Sequence, residues 1–361
     1  MNLALTAELN AALTAELNAA PYTALNAAQN AALNADLTAA LNPALVAVGQ
    51  ALLLALMAPL VLGVTRVVRA RLEGRAGGRL GQPWRDLRKQ LRKAPTSPHD
   101  AGLFFTAAPI VLMSTSLIIA ATAPFVAATS IPVGGAASIP VGGADLLVVV
   151  GLLLLGSVAL ALAGLDTGTA FGGMGASREM TIAALVEPTL LLSVFALSAR
   201  VGSTNLGAIV AAGATDPTRV FTPASLLAGA ALAIATLAEC SRIPVDNPAT
   251  HLELTMVHEA MILEYSGRDL ALVEWASALR LTILLGLLAN LFAPWGVAAD
   301  LGWVRLGVAA AAFVFKVVVL AAMVAAGEVF AAKVRLFRVP ELVAGSFALA
   351  LLAVVASYVL A

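Results

Sequence analysis

Cys240 is the only cysteine in the sequence. A lone thiol excludes an internal disulfide, and it excludes an iron–sulfur cluster or four-cysteine zinc site ligated by this chain alone. Histidine is nearly as scarce: His99, His251 and His258 are the full set, so no metal centre is expected on the chain. Charge is scarce as well. Asp, Glu, Lys and Arg make up 12% of 361 residues, where a soluble domain carries about 25%. That is too little to cover a water-facing surface, which sets aside solvated enzymes, disordered tails and nucleic-acid binders with broad basic faces. Aromatics contribute only 5%, so Ala, Leu and Val carry the apolar 60% and the mean hydropathy of +0.94. The expectation is an all-α, polytopic membrane protein.

Eight apolar windows reach the roughly 20 residues a transmembrane helix needs. They lie at about 44–65, 102–123, 145–165, 181–200, 223–239, 271–293, 303–326 and 341–360. The runs are continuous and do not alternate, so a β-barrel does not fit. Residues 1–65 contain no Lys or Arg, and then ten fall within 66–93: Arg66, Arg69, Arg71, Arg75, Arg79, Arg85, Arg88, Lys89, Arg92 and Lys93. The positive-inside rule puts that loop in the cytoplasm. Alternation then adds Arg178, Arg242, Arg268, Lys333, Arg335 and Arg338, so 16 of 21 cations share one side and both termini lie outside.

Residues 1–42 form an Ala/Leu/Asn-rich extension built on a degenerate eight-residue unit, and 43–361 read as one membrane domain. The extension lacks the cationic start of a signal peptide, suits a weak surface helix or a disordered segment, and is given no functional role. A second repeat, Ser130 to Gly135 and Ser138 to Gly143, reads as an outside loop.

Seven of 21 acids fall between 239 and 274, in a loop that the positive-inside rule would make basic. Asn247 as N-cap, Pro248 at the first helical position and Gly267 as a stop predict a helix over 248–265 near the membrane surface. Glu253 and Glu264 would share a face about 16 Å apart. That pattern fits solvated acids on an amphipathic helix or steps of a water-bridged proton relay. Glu187, Glu274, Arg280 and Lys316 lie inside spans, where an ionisable group costs at least about 2.5–3.5 kcal/mol. Structural pairing, Glu274 with Arg280 or Lys316, is one account. Proton or ion handling by Glu187 and Lys316 is the preferred one. Asp166 and Glu179 flank the fourth span, and Glu328 ends the seventh. The basic first loop suits orientation and anionic lipid, or the docking of a soluble partner.

The run Glu239-Cys240-Ser241-Arg242-Ile243-Pro244-Val245-Asp246-Asn247-Pro248, followed by Glu253 and by Glu264-Tyr265-Ser266-Gly267, carries a family likeness. It resembles the membrane anchor subunit of formate hydrogenlyase and hydrogenase-4 type complexes, which is homologous to the H chain of respiratory complex I. Arg71 to Lys93, Asp166 to Pro188 and Phe337 to Glu341 agree, so the resemblance covers about 44–361. Complex I chains usually read Arg-Ala-Pro-Phe-Asp-Leu-Pro-Glu where Arg242 to Ala249 stand here. The departure favours the hydrogenase branch over a quinone site.

The resemblance implies a multi-pass subunit of the cytoplasmic (inner) membrane with no redox centre, catalytic residue or cofactor of its own. It implies a nickel–iron centre and iron–sulfur clusters on hydrogenase-like and iron–sulfur partner subunits, with antiporter-like membrane subunits completing translocation. Matching positions make Asp166, Glu187, Glu253 and Glu264 candidates for a proton path, to which Lys316 is added from its intramembrane position. Arg71, Arg75, Arg85, Arg242 and Asp246 are the candidates for docking the hydrophilic arm. The alternatives are a quinone-reducing complex of the complex I class and a stand-alone ion transporter; no inverted repeat supports the latter.

Overall fold

The computed structural model describes residues 44–96, 98, 101–133, 137–141, 143–216, 222–243, 245–246, 256–298, 302–331 and 338–359. In chain order the helices are α1 (Ala44–Leu72), α2 (Gln82–Leu91), α3 (Leu103–Thr122), α4 (Leu146–Asp166), α5 (Ala170–Val201), α6 (Leu206–Thr215), α7 (Pro223–Glu239), α8 (His258–Ile262), α9 (Gly267–Phe292), α10 (Trp303–Phe330) and α11 (Val339–Val359). Among the described residues, α1, α3, α4, α5, α9, α10 and α11 are long and apolar enough to cross a bilayer. The fifth expected span, α7, has 17 residues, the lower end of what a span needs. Every apolar window therefore meets a helix, and the fold is an all-α polytopic bundle.

One connection departs from the expected loop. The Ser-Ile-Pro-Val repeat between α3 and α4 forms an antiparallel hairpin, β1 (Thr129–Val133) with β2 (Ala137–Val141), pairing Ile131 with Ile139. A two-stranded hairpin is all edge, so the proline in each strand removes no central ladder bond.

The most enclosed span is α9, buried along most of its length, whereas α10 and α11 expose most of theirs. Gly286 makes the enclosure possible. A Cβ there would stand 2.8 Å from the Phe125 ring and 2.9 Å from the Phe313 ring.

Polar contacts tie the bundle at both ends. At one end Gln50 of α1 donates to the carbonyls of Ala120 and Ala123 at 2.7 and 2.8 Å and accepts from Val126 N at 2.9 Å. Asn290 of α9 donates to the Pro124 and Phe125 carbonyls at 2.7 and 2.9 Å. Two buried amides thus satisfy the turn after α3, whose backbone groups would otherwise be orphaned. At the other end the basic segment 66–93 folds back as α2. It buries Pro83 and Leu87, sets Trp84 edge-on against Trp275 at 5.6 Å, and bonds Gln90 to Glu274 at 3.2 Å. Thr96 N donates to Ser266 Oγ at 2.7 Å, so the chain after α2 lies against the start of α9.

Of the helix expected over 248–265, residues 248–255 lie outside the described residues. Within its described part, only His258–Ile262 is helical. Gly267 opens α9 rather than ending the preceding helix, with φ +56 and the Ala94 carbonyl oxygen 2.6 Å from where a Cβ would stand. Its left-handed backbone and that close approach explain the glycine without a helix stop.

Candidate functional site

The basic end of the bundle holds a cavity of about 380 Å³. Its walls come from α1, α3, α4, α5, α7, α8, α9 and α10, and they carry six acids, four arginines and His258. Chemistry-bearing residues that are far apart in sequence therefore meet where seven membrane helices converge.

An ion pair lies at its inner wall. Glu239, the last residue of α7, is bound by the Nη2 of Arg280 from α9. The same Nη2 reaches Ser157 Oγ at 2.7 Å and the Leu153 carbonyl at 2.8 Å. Glu239 is 8% exposed. A charge pair this deep needs such extra hydrogen bonds to offset its desolvation. Glu179 of α5 lines the cavity beside it.

Glu187 lies further in. It is 6% exposed, and neither carboxyl oxygen has a hydrogen-bond partner among the described residues. Pro188 follows it inside α5 and has no N–H to give the preceding turn. The Nε of Arg280 is likewise buried without an acceptor among the described residues.

A second cluster also lines the cavity. Ser241 has φ 47, a conformation rare outside glycine, and it turns the chain sharply after α7. Arg242 then reaches back to Glu328 of α10 at 3.3 Å, and Arg69 of α1 approaches the same carboxylate at 3.8 Å. Asp246 is 4% exposed and accepts from Val257 N at 3.3 Å. Arg178 donates to the Met256 carbonyl at 2.8 Å. These contacts bind the end of α7, α8 and α10 into one unit.

His258 packs against Ser277 Oγ at 3.3 Å. Burial, reinforced by the Arg280 charge and opposed by Asp246, lowers its pKa from 6.5 to about 4. The folded protein therefore keeps His258 neutral while the unfolded chain protonates it below about 6.5. This group's contribution to stability is complete above pH 6.5 and is lost progressively as pH falls toward 4. Between pH 7.5 and 4.5 the thermal midpoint of the wild type should fall further than that of His258→Gln. Parallel curves would sink the assignment.

The sequence candidates separate. Glu187 lies within electrostatic reach of the ion pair. Asp166, at the end of α4, accepts from Phe105 N at 3.0 Å. It thereby caps α3, whose own N-cap, Gly102, has no side chain to do so. Glu264 is exposed, and Glu253 lies outside the described residues. Lys316 is 5% exposed and donates to Asn290 Oδ1 at 2.5 Å and to the Ala293 and Trp295 carbonyls at 3.0 Å each. All three acceptors are neutral, and they sit at the C-terminal end of α9, where cations are favoured. Asn290 is ten residues from Arg280, about 15 Å along the helix. The pairings weighed from sequence also shift: Arg280 takes Glu239, and Glu274 takes Gln90. Of the docking candidates, Arg71, Arg75 and Arg85 are exposed, whereas Arg242 and Asp246 point inward. Arg280 was visible as a charge inside a span and Glu239 as the first of the acids clustered over 239–274. Their partnership depends on the register of α7 against α9, which no sequence signal carries. Among the described residues no cluster of His, Cys, Asp and Glu is arranged to hold a metal.

Residues 45–359 match the NADH dehydrogenase family. Hydrogenase-4 component C of Escherichia coli K12 is 34% identical over 301 residues, 82% of this chain and 90% of its own. Formate hydrogenlyase subunit 4 of the same organism is 34% identical over 299 residues, 83% of this chain and 94% of its own. A chain of the membrane-bound sulfane sulfur reductase, an archaeal respiratory membrane complex, shares the fold with a TM-score of 0.73 at 18% identity, over 87% of this chain and 98% of that one.

Proposed function

The chain belongs to the NADH dehydrogenase family, and we propose that it is the membrane anchor and coupling subunit of a hydrogenase-type respiratory complex. It holds a hydrophilic redox arm and passes the consequence of electron transfer to proton movement in the membrane. The observation that carries this reading is a juxtaposition. Nine of the ten cations of segment 66–93 are exposed, and they surround the end of the bundle that holds the acid-lined cavity. A docking surface stands over an entrance to buried carboxylates. The names of the two bacterial relatives, hydrogenase-4 and formate hydrogenlyase, favour partners of that kind.

In this reading the basic end faces the cytoplasm, both termini face outward, and the membrane is the cytoplasmic one. Large and small hydrogenase-like subunits and iron–sulfur proteins dock there, with nickel–iron and iron–sulfur centres of their own. Antiporter-like subunits adjoin within the bilayer. This chain performs no redox step. Glu253 and Glu264 stand on the cytoplasmic side of the proton path, Glu179 and Glu239 at the cavity wall, and Glu187 behind them. Asp166 and Lys316 serve by capping helix ends.

Charge reversal tests the docking. Arg71, Arg75 and Arg85 replaced together by Glu should leave the chain in the membrane but strip it of hydrogenase-like subunits on purification at moderate salt. Full co-purification of those subunits would overturn the docking assignment. Rim charges act mainly through long-range attraction, so the wild-type complex should also loosen as ionic strength rises.

A second reading is favoured by the cavity itself. Its walls include Arg66, Arg69 and Arg242 beside Leu62, Leu112 and Leu160, a mixture suited to an amphipathic quinone. Inhibition by quinone-site ligands would support it, and insensitivity would count against it.

A further inference from the structure

Two orphaned groups near the ion pair complement each other. Glu187 has two buried acceptors and no donor, and Arg280 has one buried donor, Nε–H, and no acceptor, among the described residues. Glu187 lies within electrostatic reach of both Arg280 and Glu239. Unsatisfied buried polar atoms are rare in folded proteins and call for a reason. A guanidinium offers five donors in a rigid fork and keeps its charge throughout. Here Nη2 is committed to Glu239, Ser157 and Leu153, while Nε is unused.

We propose that Arg280 is a positioning residue that alternates between two carboxylates, Glu239 at the cavity wall and Glu187 behind it, so that a proton taken up by one is matched by a proton released from the other. This rests on the proton-path reading. In the arrangement observed, the guanidinium holds Glu239 as a carboxylate. Glu187, buried with no donor, keeps its proton, because an isolated buried carboxylate is far too costly. When a proton from the cavity binds Glu239, that side chain becomes a neutral acid and the guanidinium loses its counter-charge. It turns to Glu187, whose proton passes to water on the interior side of the path. One O–H bond forms on Glu239, one breaks on Glu187, and Arg280 stays cationic. The net charge of the buried cluster is the same before and after, so no uncompensated charge accumulates in a region of low dielectric.

The groups facing the guanidinium are Glu179 and Glu187 from α5, Glu239 from α7, Cys240 after it, and His258 from α8. His258 is neutral above its pKa of about 4 and supplies no competing cation near neutral pH. Glu239 lines the cavity and Glu187 does not, which gives the exchange an entry side and an interior side.

Infrared spectroscopy of the full chain in its native membrane complex tests the exchange. The band of interest is the protonated-carboxyl carbonyl stretch that Glu187→Gln deletes. At neutral pH the wild type should show it. Glu239→Gln should abolish it, because the guanidinium, left without a carboxylate, turns to Glu187 and ionises it. Ser157→Ala, a milder change that removes one anchor on the Glu239 side, should weaken it. A wild type without the band, or full intensity in both variants, would overturn the exchange. Proton translocation by the same complex is a separate readout. Loss of the band in Glu239→Gln with translocation intact in Glu187→Gln upholds the exchange and removes Glu187 from the path. An unchanged band in Glu239→Gln and Ser157→Ala with translocation lost in Glu187→Gln overturns the exchange and leaves the path standing.

Discussion

Glu187→Gln should reduce proton translocation by the reconstituted complex to background while the subunits still assemble. The side chain is buried, and neither of its oxygens is hydrogen-bonded among the described residues. A protonated carboxyl in such a place has nearly the shape and polarity of an amide. Gln therefore occupies the site without a new cavity or a new unpaired charge, and the large destabilising mechanisms do not apply. What it cannot do is release a proton. An intramembrane ionisable residue with no structural partner is a functional candidate by default, and a relay missing one step conducts nothing. The experiment is a pH-gradient assay in liposomes containing the purified complex, with subunit composition checked on the same sample. Translocation at the wild-type level in a correctly assembled Glu187→Gln complex would remove Glu187 from the path.

That prediction was within reach of the sequence, because Glu187 is a charge in the middle of an apolar run. The spans were legible for the same reason: continuous apolar stretches of bilayer length dictate helices, and each of the eight windows meets one. The grouping of cations at one end followed from counting Lys and Arg. What one sequence could not supply is which helices touch and in what rotation. Asp166 read as an acid flanking a span; that Gly102 leaves the start of α3 uncapped and Asp166 fills that need was not visible. Lys316 read as an ion-handling charge from its intramembrane position alone; the neutral acceptors at the end of α9 were not visible. Most of these partners are backbone groups, which every residue carries and no motif reveals. Glycine at 267 misled in a related way: it was read as a helix stop, while it opens α9 at positive φ with the backbone of Ala94 lying against it. In the proposed path, Glu239 and Glu179 gained their place only when α5, α7 and α9 were seen to converge.

Arg280→Met should be among the most destabilising single changes in the chain, by about 3–5 kcal/mol, the cost of breaking a buried pair by removing one partner. The Arg280 side chain is 13% exposed and that of Glu239 2%, so bulk water replaces little of the lost contact. Met fills much of the volume and adds no polar group, which makes packing a minor part of the loss. Ser157 loses a donor but keeps its own bond to the Leu153 carbonyl. The penalty therefore falls on Glu239, left either as an unpaired buried carboxylate or forced to take a proton. That makes the effect conditional on Glu239. The double variant Arg280→Met with Glu239→Met removes both charges together, and it should recover most of the stability, because replacing a whole buried ion pair by apolar groups of similar volume is often neutral or favourable. A double-mutant cycle of unfolding midpoints in detergent measures the coupling. Losses that simply add would show that the two residues do not act as a pair. Strong recovery in the double variant, with proton translocation still absent, would separate the two roles: the pair is then dispensable for folding and retained for the charge exchange with Glu187.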